Sequence, residues 1–123
     1  MPKVKKSPAY VKEQRVYQRH KETLKVTLCP SDYLLRHDAF SHDISEGGIC
    51  LFTNYAMEIG QDVELEIHLP ELKKPVIAIG KIIRRNETKD TSFVFVLGIK
   101  FTKIEPREYA QISNHLKYYI LKD

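Results

Sequence analysis

Short stretches in which every second residue is apolar constrain the fold of this chain more than any other feature. Apolar side chains occupy every second position from Leu24 to Leu28, from Val63 to Leu69 and from Phe93 to Phe101. Successive side chains of a β-strand point to opposite faces, so this alternation predicts half-buried antiparallel strands. The remaining strand candidates are 35–44, 49–53 and 76–85.

The six predicted strands follow one another with turn residues between them and no helix. A series of short strands with one apolar face usually closes into a barrel, because closure removes the exposed edges of the sheet. The last segment differs, since Pro106 suits the first turn of a helix and apolar residues then recur at spacings of three and four. These apolar residues are Tyr109, Ile112, Leu116 and Ile120. The sequence therefore predicts an all-β fold, a six-stranded antiparallel barrel with a C-terminal helix.

The first 22 residues have no apolar periodicity and contain Pro2 and Pro8. We therefore predict a flexible basic arm over residues 1–22 and a barrel domain with its helix over residues 23–123. The arm is basic because the first 25 residues hold eight Lys or Arg against Glu13 and Glu22, whereas the whole chain has a net charge of only +4. Such an asymmetry favours an anionic partner, which could be nucleic acid, an acidic membrane surface or a phosphorylated small molecule.

Several other functions find no support in the sequence. Apolar runs such as Val76 to Ile79 are far shorter than the roughly 20 residues of a membrane span. The N-terminus lacks the apolar core of a secretory signal, so we expect a cytoplasmic protein. Cys29 and Cys50 lack metal-ligand spacing, and we expect neither a metal nor a cofactor. The side chains of Ser41, His42 and Asp43 are consecutive and should alternate between strand faces, which disfavours a hydrolase triad.

Two motifs carry the functional prediction. Arg15 and Arg19 form an Arg-x-x-x-Arg pair, a spacing that chance gives roughly 0.3 times in a chain of this composition. Asp43, Ser45 and Gly48 form an Asp-x-Ser-x-x-Gly pattern, which chance gives only roughly 0.02 times. A purely structural interpretation of the second motif is a turn in which Asp and Ser cap their own backbone and glycines supply positive φ.

In this order, and followed by a series of strands, the two motifs resemble the PilZ family of cyclic di-GMP receptors. The resemblance extends to the segment 41–51, which is similar to the central hairpin of the family, and to Leu97–Phe101 with the helix after it. It covers the chain from about residue 14 onward. The resemblance implies a six-stranded barrel that, together with the arginine segment, binds cyclic di-GMP in bacterial second-messenger signalling.

The resemblance also implies which residues bind the ligand. Arg15 and Arg19 suit the two phosphates and two guanines, because a guanidinium can bond phosphate, bond guanine or stack on it. Asp43 could accept hydrogen bonds from guanine N1–H and N2–H₂, and Ser45 could bond a base edge or a phosphate. Gly48 would shape the turn and let the ligand approach the backbone.

Two neighbours, Gln14 and Gly47, complete the expected ligand-binding set. Members of the family often have a further basic residue where this chain has Gln14, a departure that bears on how many ligand molecules bind. The expected protein is a non-enzymatic receptor whose arm and surface change on ligand binding and are read by a downstream protein. Two alternatives stay open: a basic-armed barrel that binds nucleic acid, and a degenerate family member that kept the barrel as a protein-interaction scaffold.

Overall fold

The computed structural model of the chain describes residues 19–30, 35–89 and 92–122, with the side chains of the final helix described as far as Tyr118. Most of the predicted arm, including Gln14 and Arg15, lies outside the described residues. The boundary at residue 22 and the roles of those two side chains therefore stay predictions.

Seven strands and one helix make up the described part of the chain, and the predicted barrel is confirmed. The elements are β1 (His20–Lys21), β2 (Lys25–Pro30), β3 (His37–Ile44), β4 (Gly48–Thr53), β5 (Asp62–Ile67), β6 (Val76–Glu87), β7 (Phe95–Lys103) and α1 (Pro106–Lys122). Strands β2 to β7 correspond to the six predicted strands. The additional strand, β1, is only two residues long and was not predicted.

The strands pair in the order β1-β3-β2-β5-β6-β7-β4, and a further pairing between β3 and β4 closes the barrel. All pairings are antiparallel. Strand β3 has three partners because its first half pairs with β2 and its last two residues, Asp43 and Ile44, pair with β1. The end of β3 is therefore where the N-terminal segment meets the barrel.

The core fills the barrel as the alternation predicts. In β5, the side chains of Val63, Leu65 and Ile67 are fully buried, whereas Asp62 and Glu64, on either side of Val63, are exposed. Burying one such apolar side chain stabilises the fold by about 1.5 to 3 kcal/mol. The opposite faces of the strands are thereby left on the outside of the barrel, where a ligand can reach them.

Helix α1 packs against one part of the barrel. It begins at Pro106 as predicted, and Ile112 and Leu116 on its apolar face are buried. Its first turn is attached to β6, because the Glu108 carboxylate accepts a hydrogen bond of 2.9 Å from the Ile77 backbone N–H. Among the described residues, no helix has both the length and the apolar character needed to cross a membrane.

Candidate functional site

A β-bulge in strand β3 shapes the centre of the site. The pairing of β3 with β4 shifts register between Ser41 and Asp43, so that His42 is an extra residue. A bulge bends the strand and redirects its side chains, and here it brings His42 Nδ1 within 2.7 Å of Asp43 Oδ2. The expectation that these two neighbours point to opposite faces was therefore wrong.

Four residues on neighbouring strands form a row across the outside of the barrel. Asp43 on β3 pairs with Cys50 on β4, which pairs with Gly98 on β7, which in turn pairs with Arg84 on β6. We call these residues the outer row. The next row along the same strands, Ile44, Ile49, Ile99 and Ile82, is buried in the core. Alternation therefore places the outer row on the opposite, outward face.

Gly98 lets the long side chain of Arg84 lie across the row. A Cβ atom at Gly98 would lie 3.1 Å from Arg84 Cβ and 3.3 Å from its Cζ. The guanidinium is near enough to the thiol of Cys50 to act on its pKa as a hydrogen-bond donor. Burial raises the pKa of the Cys50 thiol, and the negative charge of Asp43 raises it further, whereas the hydrogen bond from Arg84 opposes both effects.

Arg19 reaches the other end of the outer row. Its Nε lies 2.7 Å from Asp43 Oδ1, and its side chain is 43% exposed whereas that of Asp43 is 15% exposed. The contact is an ion pair but not an aligned hydrogen bond, because Oδ1 is buried and accepts no hydrogen bond from the described residues. Asp43 therefore keeps an acceptor for which the described part of the protein supplies no donor.

The short strand β1 determines where Arg19 lies. His20 pairs with Ile44 and Lys21 pairs with Asp43, so the backbone beside Arg19 is held against the end of β3. This pairing brings one arginine of the first motif to the aspartate of the second. The two motifs, separated along the chain, therefore meet at one place on the barrel surface.

The hydroxyl of Ser45 is engaged within its own turn. The side chain is only 2% exposed, and its Oγ accepts a hydrogen bond from Gly47 N–H at 3.2 Å and donates to the Gly48 carbonyl at 3.4 Å. These contacts support the turn-capping interpretation of this residue. A role for Ser45 in contacting a ligand stays a prediction.

Gly48 is needed for close packing of two strands. A Cβ atom at this position would lie 2.3 Å from the Ile99 carbonyl oxygen of β7, far inside van der Waals contact. Gly60 is the one described glycine with positive φ, at 94°. The interpretation in which the glycines of the motif supply positive φ was therefore wrong, and Gly48 instead allows β4 to approach β7.

An aromatic patch borders the outer row. Phe40 and Phe52 are paired across β3 and β4, and the Phe93 ring lies 5.8 Å from the Phe40 ring and 6.3 Å from the Phe52 ring, between centroids. The His42 ring meets Phe52 edge-on at 5.4 Å. Aromatic rings therefore continue from the Asp43 side chain along the outside of the barrel.

The charges of the site favour an anion over a metal cation. Ligand atoms of His42, Asp43 and Cys50 lie within 4.8 Å of one another, a spacing that could hold a metal ion. Two guanidinium groups lie at the same place, however, since Arg19 contacts Asp43 and Arg84 contacts Cys50. Permanently charged guanidinium groups repel a cation and match phosphate geometry.

Arg84 is a site residue that was not predicted from the sequence. It lies two residues after the buried Ile82, and simple alternation would put both side chains on the inner face. A register shift between Ile82 and Arg84 turns Arg84 outward instead. A bulge of this kind leaves no signal in a single sequence. The position of Arg84 beside Gly98 is evident only once the strands are paired.

Together, the closed barrel, its C-terminal helix and the arginine–aspartate pair on its outer face define a small β-barrel domain with a charged site on its surface. The family model described as PilZ domain matches residues 13–118. The chain therefore belongs to the PilZ family. No curated protein sequence matches it.

Solved structures confirm the fold. The inhibitor of motility MotI/DgrA of Bacillus subtilis is 20% identical with a TM-score of 0.71, over 89% of this chain and 53% of that chain. YcgR of Escherichia coli in complex with c-di-GMP is 14% identical with a TM-score of 0.72, over 89% of this chain and 47% of that chain. The PilZ domain of YcgR with c-di-GMP is 15% identical with a TM-score of 0.70, over 89% of this chain and 93% of that chain. This chain thus spans about half the length of the first two proteins.

Proposed function

We propose that this chain is a cyclic di-GMP receptor that binds the ligand on the outer face of the barrel, between Arg19 and Arg84. The observation that carries the proposal is the contact between Arg19 and Asp43, which joins the two motifs of the family at one place. Membership of the PilZ family supports the proposal, as do PilZ structures that contain this ligand.

The arginine–aspartate pair fits a guanine base. Guanine offers acceptors at O6 and N7, which suit a guanidinium, and donors at N1–H and N2–H₂, which suit a carboxylate. Asp43 Oδ1 accepts no hydrogen bond from the described residues, so a base that gains access to this buried atom can donate one to it. Adenine presents an amino donor in place of O6 and lacks the N2 amino group, so the same pair disfavours it.

The remaining cations suit the phosphates. Arg84 lies at the opposite end of the outer row from Arg19, and each guanidinium can bind phosphate oxygens through two parallel hydrogen bonds. Arg15, four residues before Arg19, would supply a third guanidinium from the arm. A ligand with two phosphates and two guanines can engage several of these groups at once.

The receptor acts by binding and not by catalysis. Ligand contacts at Arg15 and Arg19 would hold the arm, with its flanking Gln14, against the barrel near Ser45, Gly47 and Gly48. The changed arm position and surface would then be recognised by a downstream protein in a bacterial cytoplasm. Such coupling requires only that the ligand binds one arm position more tightly than the other.

Calorimetric titration tests the proposal. Cyclic di-GMP should bind with an affinity at least tenfold above those of GTP and of a short single-stranded DNA. Binding of the DNA alone would favour the nucleic-acid alternative. A well-folded protein that binds none of these ligands would overturn the proposed function and favour the scaffold alternative.

A further inference from the structure

A buried histidine lies between two carboxylates, away from the outer row. The side chain of His115 on α1 is 0% exposed. Its Nε2 lies 2.7 Å from Glu22 Oε1, and its Nδ1 lies 2.7 Å from Glu71 Oε2. Both ring nitrogens of His115 therefore have a carboxylate oxygen within hydrogen-bond distance. We call Glu22, His115 and Glu71 the histidine cluster.

The two carboxylates of the histidine cluster belong to different parts of the fold. Glu71 lies in the connection between β5 and β6, whereas Glu22 directly follows β1, three residues after Arg19. His115 therefore attaches two separate segments to helix α1. Only one of these segments, the one that contains Glu22, continues into the candidate ligand-binding site.

The backbone around Glu22 is fixed at the same place. The buried Ser41 hydroxyl donates to the Glu22 carbonyl and accepts a hydrogen bond of 2.7 Å from Leu24 N–H. Glu22 N–H in turn donates to the His42 carbonyl at 3.3 Å. These contacts hold the chain across the gap between β1 and β2, where regular strand pairing is interrupted. The segment that carries Arg19 is thus held at Glu22 by two contacts, one from Ser41 to its backbone and one from His115 to its side chain.

We propose that His115 is a positioning residue for the ligand site, which holds Glu22 so that Arg19 stays beside Asp43 and which couples ligand binding to helix α1. This inference rests on the proposed function. His115 does not touch the ligand, and it acts through Glu22 and strand β1. Because energetic coupling is reciprocal, ligand contacts at Arg19 also change how firmly the helix is held at His115.

The chain offers a matched control for this coupling. Glu22→Gln and Glu71→Gln each remove one carboxylate charge from His115 while keeping the side-chain shape. Both should lower thermal stability, because a buried histidine loses a charge-assisted partner. Only Glu22→Gln disturbs the segment that leads to Arg19. An effect that merely reflects stability would be alike in the two variants, whereas positioning separates them.

The first part of the experiment measures cyclic di-GMP affinity by calorimetry. The proteins compared are the parent, Glu22→Gln, His115→Gln, the double variant that combines these two substitutions, and Glu71→Gln. We expect Glu22→Gln and His115→Gln each to weaken binding about fivefold or more. The double variant should bind cyclic di-GMP no more weakly than the single variant with the lower affinity, because the two residues act through one contact. Glu71→Gln should bind like the parent. Equal losses for Glu22→Gln and Glu71→Gln, or parent-like binding by Glu22→Gln, would overturn the proposal.

The second part of the experiment needs no ligand and separates this proposal from the proposed function. Amide hydrogen exchange of the ligand-free proteins should be faster at residues 20–22 in Glu22→Gln and His115→Gln than in the parent or in Glu71→Gln. Unchanged exchange at these amides would contradict the positioning role, even if the parent binds cyclic di-GMP. Faster exchange in these two variants, combined with a parent that does not bind cyclic di-GMP, would instead overturn the proposed function and the ligand coupling, while leaving the structural link to the helix in place.

Discussion

Arg19 Nε and Asp43 Oδ1 lie 2.7 Å apart, although Arg19 precedes the barrel strands and Asp43 lies near the end of β3. The contact pairs a half-exposed cation with a largely buried anion. A buried carboxylate is costly without compensation, so Arg19 stabilises the charge of Asp43 in the absence of ligand. A guanine base that bonds to both groups can take over part of this compensation, which makes the pair a ready recognition element.

Arg19→Ala should weaken cyclic di-GMP binding by about 1.5 to 3 kcal/mol, the scale of a lost hydrogen bond to a charged group. Arg15→Ala should have an effect of similar size if the arm closes over the ligand. Calorimetric titration measures both losses. Lys25→Ala is the matched control, because it removes one positive charge from an exposed position of β2. If Lys25→Ala and Arg19→Ala lost the same amount of binding free energy, general electrostatic attraction would explain the arginine effect, and a specific contact would be contradicted.

Asp43→Ala should lower affinity and also narrow the gap between cyclic di-GMP and cyclic di-AMP. A carboxylate that reads guanine donors discriminates by about 1 to 3 kcal/mol per good pair. Competition titrations of both dinucleotides measure the gap, and Asp38→Ala, at an exposed position of the same strand, should leave it unchanged. An Asp43→Ala protein with reduced stability and unchanged selectivity would assign this residue a structural role alone.

Arg84→Ala should weaken cyclic di-GMP binding about tenfold, whereas Arg85→Ala should not, although the two residues are neighbours. Arg84 lies over Gly98 in the outer row. Arg85 instead pairs with Glu58 at 3.0 Å and lies 4.9 Å above the Phe95 ring centroid. Fluorescence or calorimetric titration distinguishes them. The reverse order of effects would show that the ligand does not lie along the outer row.

Cys50 should react slowly with iodoacetamide at neutral pH, because burial raises its thiol pKa and the thiolate is the reactive form. Its alkylation rate should rise only above the usual thiol range of about pH 8.5. The folded-state pKa is raised, so this thiol favours folding below its unfolded pKa, and the contribution is lost as pH rises through the folded pKa. Rates are measured in Cys29→Ser. Bound cyclic di-GMP should slow the reaction further, and rapid alkylation at neutral pH would contradict the burial argument.

Local patterns were sufficient to predict the barrel and its helix. Alternation in β5 and the spacing of Ile112 and Leu116 each depend on neighbours in sequence, and burial follows them closely. The predictions failed where long-range pairing decides the structure. The bulge at His42, the outward turn of Arg84 and the strand β1 all follow from how distant strands register with one another.

The candidate site was predictable to a similar extent. The motif residues Arg19 and Asp43 do meet, but the sequence could not show that Ser45 is engaged in its own turn or that Gly48 serves strand packing. The sequence did carry a signal for His115, which was not predicted, because this residue lies three positions after Ile112 on the apolar face of the helix. A histidine in that position implies a buried polar partner.

Amide hydrogen exchange with and without cyclic di-GMP tests the central claim most directly. Ordering the arm costs about 1 to 2 kcal/mol per residue, which the phosphate and guanine contacts must exceed. We predict that the ligand slows exchange in residues 14–20 and in the turn at 43–48, with little change on the opposite side of the barrel around β5. Two results would contradict a binding site on the outer face between Arg19 and Arg84. One is slower exchange around β5, and the other is exchange that saturating ligand slows nowhere in the protein.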